Sequence, residues 1–97
     1  MTTEEMAALW EKHNDQFLMF EQVKNPLSGR PDINAFLLLD QLVSGSRDII
    51  SSAEHDEIWV NIDVEKLAEV IVEEQIIELI RCGVRYDSAF DSLAMFV

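Results

Sequence analysis

From Met6 onward, apolar residues return every three or four positions: Met6, Leu9, Trp10, Phe17 and Phe20, with His13 on the same stripe and Val23 at its end. That spacing predicts an amphipathic helix over residues 3–23. Thr3 precedes Glu4 and Glu5, whose charges suit the positive end of a helix dipole. Leu18 and Met19 widen the stripe, so Phe17-Leu18-Met19-Phe20 is apolar almost all round and calls for cover on two sides or a partner. Asn25-Pro26-Leu27-Ser28-Gly29-Arg30-Pro31 reads as a loop, punctuated by two prolines and a glycine. Pro31 suits the first position of a second helix over 31–43, with Asp32 in its first turn. Ile33, Phe36, Leu37, Leu39, Leu42 and Val43 make its apolar surface, Asp40 and Gln41 its wet side, and Gly45 its stop.

Residues 46–56 follow neither period. Asp48-Ile49-Ile50-Ser51 fits a short strand or a bend that turns two isoleucines inward. Residues 57–62 alternate, with Ile58, Val60 and Ile62 on one face and Trp59 and Asn61 on the other, which predicts a strand. Asp63 is a good N-cap for a short helix from Val64 to about Ile71. A further helix runs from Glu73 to Cys82, burying Ile76, Ile77, Leu79 and Ile80 and ending at Gly83 in the left-handed position, with Val84 folding back. Val72 is a poor cap, so the two helices could also run together. Tyr86 to Asp91 is turn-prone, and residues 92–97 resemble a final strand. The pattern predicts one α+β domain over 1–97. Two N-terminal helices pack on a small antiparallel sheet, and the C-terminal half runs strand-helix-helix-strand, pairing 57–62 with 92–97.

Composition adds a charge to this outline. In 97 residues, 48% of them hydrophobic, there is enough apolar material for one core and no run near the roughly 20 residues of a membrane-spanning helix. Nineteen acids against seven bases give a net charge of −12. Such a chain repels phosphate backbones and anionic membranes, which argues against direct nucleic-acid or membrane binding. The stretch from Glu54 to Glu78 holds nine acids and one base, Lys66. It is either a solvated face or an anionic surface suited to a basic protein partner. The acidic N-terminus lacks the features of secretory or mitochondrial targeting segments, and Cys82 is the single cysteine. The expected location is cytoplasmic.

The stretch Ala53-Glu54-His55-Asp56-Glu57 resembles a reaction centre, with a histidine among carboxylates. A His-Asp dipeptide is also used by metal-dependent phosphohydrolases, but those need further histidines and His13 is the only other one. In an extended strand Asp56 would point away from His55 and could not orient it. His13, His55 and Cys82 are too widely spaced for a metal motif, and no phosphate loop or nucleophile elbow is present. No cofactor, metal or catalytic residue is therefore assigned. His13 is expected to be a hydrogen-bonded core residue and Cys82 a small apolar filler. Trp59, opposite the core-facing residues of its strand, fits a protein-contact hot spot unless a helix covers it. The sequence points to a non-catalytic protein-interaction module, a homo-oligomer associating through its N-terminal helices and presenting an anionic surface. Trp59, Glu57, Asp56, Glu65, Glu69, Glu73, Phe17 and Phe20 are the candidate contact residues. An alternative is an acidic nucleic-acid mimic, an inhibitor or decoy that binds a basic nucleic-acid-binding protein.

Overall fold

A reciprocal cap starts the first helix. Thr2 Oγ1 accepts the Glu5 N–H at 3.1 Å, and Glu5 Oε1 accepts the Thr2 N–H at 2.9 Å. The Thr2 backbone N–H, and after it the Thr2 hydroxyl, hold the Glu5 carboxyl below its ordinary value. The computed structural model describes residues 1–96. Helix α1 spans Thr3–Lys12 and buries Met6 and Trp10. It does not continue to residue 23, as the apolar stripe predicts. His13 closes it, and two single 3₁₀ turns follow at Asn14–Gln16 and Phe20–Gln22. Asn14 and Asp15 favour non-helical backbone, while a 3₁₀ turn keeps a spacing of three, so the stripe outlasts the helix. Leu18 stands in the left-handed region (φ 64°) and donates its N–H to the Ile80 carbonyl at 3.2 Å. Arg81 ties down the same segment, donating from Nε to Gln16 Oε1 and from Nη1 to the Gln22 carbonyl.

Helix α2, Pro31–Leu42, begins on its proline as predicted but is rotated from its predicted orientation. Asn34, Ala35, Leu38 and Leu39 face inward, whereas Ile33 and Leu37 are 41% and 43% exposed. Phe36-Leu37-Leu38-Leu39 is apolar all round, so hydrophobicity cannot choose a face. Asn34 chooses it. Its fully buried amide accepts from the Leu27 and Ser28 N–H groups and donates to Glu78 Oε2 and Cys82 Sγ, using all four of its hydrogen-bonding positions.

The ambiguous residues 46–56 contain strand β1, Ile50–Glu54, which pairs antiparallel with β2, Glu57–Val60. His55 and Asp56 form the two-residue turn, with His55 at φ 55°. They are therefore turn residues rather than part of an extended strand. Asp63 caps α3, Val64–Val70, accepting the Glu65 and Lys66 N–H groups. Helix α4, Glu73–Arg81, is separate from α3 because Val72 is extended and its N–H is taken by Gln75 Oε1. Gly83 follows α4 at φ 95°, as predicted.

Strand β3, Val84–Asp87, lies where the sequence suggests a fold-back and a turn. It forms a hairpin with β4, Ser92–Phe96, while Val97 of the predicted strand lies outside the described residues. The pairing of β2 with β4 is antiparallel as expected, with Trp59 opposite Ala94. The sheet thus has four strands rather than two, in the order β1-β2-β4-β3. Helices α1 and α4 pack against β3, and α2 lies against α4. Ile58, Val60, Val84, Leu93 and Met95 join Met6, Leu67, Ile76, Leu79 and Ile80 in the core.

Candidate protein-contact face

Strand parity divides the sheet into two unlike faces. Residues directly opposite each other in a ladder project to the same side. Ile58, Val60, Leu93 and Met95 are turned into the core. The other parity places Ser52, Glu54, Glu57, Trp59, Arg85, Asp87, Ser92, Ala94 and Phe96 together on the opposite face. Neither α1 nor α2 provides the cover that would have made Trp59 a core residue.

Trp59 is half-buried by its neighbours on this face. Its indole Nε1–H donates to Asp87 Oδ2 at 3.1 Å. Phe90, from the turn between β3 and β4, meets it edge-on, with ring centroids 6.1 Å apart and planes at 82°. Phe90 is itself 70% exposed and Phe96 58% exposed, so the cover is a second unsheltered ring. Large apolar groups on the wet side of a sheet are a feature of contact surfaces. The residues directly across from Trp59 are small, Ser52 on β1 and Ala94 on β4. A hollow of about 430 Å³ opens there, lined by Ser51, Ser52, Glu54, Trp59, Phe90 and Ser92. At the far side of the face, Arg85 pairs with Glu57 and lies 4.2 Å above the Phe96 ring.

The other acids predicted to form the contact surface divide into two groups. Glu57 is taken by Arg85, Asp63 by the α3 cap, and Glu78 by Asn34. Glu73 accepts from His13 Nε2 at 2.6 Å and lies 3.8 Å from Lys12 Nζ, contacts that hold its carboxyl below the ordinary range. The carboxylates of Glu54, Asp56, Glu65, Glu69 and Glu74 make no side-chain hydrogen bond or ion pair among the described residues. Glu54 and Asp56 are at the β1–β2 end of the sheet, and Glu65 and Glu69 stand one turn apart on α3. Phe17 and Phe20 are half-buried against the core, and Phe36 joins them there.

The positions examined for chemistry are dispersed. His55 is in an exposed turn, His13 at the end of α1, and Cys82 is buried beside Asn34. Burial chiefly raises the Cys82 thiol pKa, Glu78 adding to it and the Asn34 amide opposing it. No group of three or more His, Cys, Asp or Glu placed to hold a metal ion occurs among the described residues. A second hollow, of about 700 Å³, opens beside the contact of α1 with β3 and is lined in part by Trp10, Glu11, Asn14, Phe17, Tyr86 and Ser88. Its lining contains neither histidine nor cysteine. No helix among the described residues is long and apolar enough to cross a membrane.

Phe90 and Phe96 escaped the sequence reading. Phe90 lies 31 positions beyond Trp59, and only the register of β2 with β4 brings the hairpin turn over the indole. Comparison with protein-family models, with curated proteins and with solved structures yields no match for this chain.

Proposed function

We propose that the protein is a non-catalytic interaction module that binds a basic protein partner through the helix-free face of its sheet. The observation that carries this reading is the grouping of Trp59, Phe90 and Phe96 on the side of the sheet turned away from the core. Aromatic side chains supply much of the binding energy of protein contacts. The partner's sign follows from complementarity: the chain carries −12, Arg85 on this face is already paired, and Glu54 and Asp56 stand beside it.

The test is a titration of the ¹⁵N-labelled chain with a soluble peptide alternating lysine and valine. A peptide with glutamate in place of lysine serves as control. Amide shifts concentrated between Glu54 and Trp59 and between Arg85 and Phe96, produced by the basic peptide alone, are the expected result. Shifts confined to α3 around Glu65 and Glu69, with the sheet face silent, would overturn it in favour of a purely electrostatic surface.

Self-association through the N-terminal half has less surface to draw on than the sequence suggests, because Phe17, Phe20 and Phe36 rest on the core. The outward apolar groups there are Met1, Leu18, Leu27, Ile33 and Leu37. If they form a homodimer contact, light scattering gives twice the chain mass and Leu37→Glu returns it to the monomer value. A monomer at high micromolar concentration removes this second form.

A further inference from the structure

We infer that the hollow beside Trp59 is a receptor for a single cationic side chain or quaternary ammonium group, an inference that rests on the basic-partner reading above. The geometry is a corner. The indole of Trp59 and the ring of Phe90 stand at 82° to one another, so a group in the hollow meets aromatic surface from two directions. Aromatic faces attract cations through the ring quadrupole, tryptophan most strongly. Glu54 lines the same hollow, and its exposed carboxylate has no intramolecular ion pair among the described residues.

Three further features make this a built site. Asp87 fixes the indole by accepting Nε1–H, which sets the ring plane before any ligand arrives. Ser52, the β1 neighbour of Trp59 and part of the lining, is too small to fill the space beside the ring. Serines from both adjoining strands, Ser51 and Ser52 on β1 and Ser92 on β4, complete the lining, and a serine oxygen is an acceptor for an ammonium N–H. An anion finds no positive group among the lining residues and meets the Glu54 carboxylate there.

The experiment uses the full chain labelled with ¹⁵N at tryptophan, which gives two indole signals, Trp10 and Trp59. Trp59→Phe assigns them, and Trp10, held to the Val84 carbonyl inside the molecule, serves as internal control. Choline is titrated against 3,3-dimethyl-1-butanol, its neutral isostere. Choline is expected to shift the Trp59 indole saturably, with a Kd on the order of 10 mM, and the isostere to do so at least about three-fold more weakly. Glu54→Gln should weaken choline binding about two- to five-fold. Equal response to both probes would show an apolar hollow and overturn the inference. A Trp59 signal that ignores choline while the basic peptide still shifts the sheet face would also overturn it, and leaves the interaction face standing. Choline binding without any peptide response supports the receptor and removes the wider face.

Discussion

Replacing Asn34 with alanine tests the central packing argument, that one amide sets the rotation of α2. The amide is fully buried and makes four hydrogen bonds, at 2.6 and 3.3 Å to the Leu27 and Ser28 N–H groups, 3.0 Å to Glu78 Oε2 and 3.2 Å to Cys82 Sγ. A hydrogen bond to a charged group contributes about 1.5–3 kcal/mol and a neutral one about 0.5–1.5 kcal/mol. Leu27 is 44% exposed, so water recovers part of the loss at the loop. Alanine is also the better helix former, by about 0.6 kcal/mol. The balance is a loss of about 3 kcal/mol, which for a domain of this size lowers Tm by roughly 15 °C. Urea denaturation followed by far-ultraviolet circular dichroism should show the midpoint falling with the slope unchanged. A loss below about 0.5 kcal/mol would refute the role given to the amide.

Asn34→Asp separates hydrogen bonding from volume, since the two side chains have nearly the same shape. It places a carboxylate where Nδ2 now donates to Glu78, about 3 Å from a second carboxylate. Two acids so close raise the pKa of the pair in the folded state. The sign follows: a raised folded pKa means the folded variant takes up a proton before the unfolded chain does. The variant is therefore at its worst near pH 7 and recovers relative to the native protein as pH falls toward about 4. A destabilisation independent of pH over that range would show that the new carboxylate does not face Glu78, and would contradict the contact.

Two other changes probe the joints of the fold. Gly83→Ala should destabilise by about 1–3 kcal/mol, because φ is 95° and an added Cβ would lie 2.9 Å from Leu18 Cδ2; Gly83→Ala with Leu18→Ala should recover the steric part in the same urea assay, leaving the backbone part. Glu73→Gln should narrow its stability gap to the native protein as pH falls. The His13 hydrogen bond, opposed by desolvation and helped by Lys12, depresses the native carboxyl pKa, so its contribution is present above about pH 4.5 and lost on descent through the folded value. A ¹³C carboxyl titration of Glu73 reads the depression directly, and an ordinary midpoint would contradict the contact.

What the sequence discloses about this protein depends on whether polarity alternates with the backbone period. In α4 it does, and the helix, its buried stripe and its closing glycine are legible. In α2 it does not, because Phe36 to Leu39 offer an apolar surface in every direction and the choice falls to Asn34, whose partners lie on a loop and on α4. Strand β1 is silent for the opposite reason: Ile50-Ser51-Ser52-Ala53-Glu54 is exposed throughout and has no buried face to mark. Strand β3 hides behind Arg85 and Asp87, residues of the wet face that resemble a turn when read in line. The same reasoning explains the candidate site. Parity alone places Trp59 opposite the core-facing residues of β2, so its side of the sheet is readable from the local sequence. Acidity is less informative, because the sequence does not distinguish Glu57, which pairs with Arg85, from Glu54, which pairs with nothing among the described residues. The proposed corner depends on both distinctions, and each is made by the long-range register of β4 between β2 and β3, which brings Arg85 to Glu57 and Phe90 to Trp59 while leaving Glu54 open.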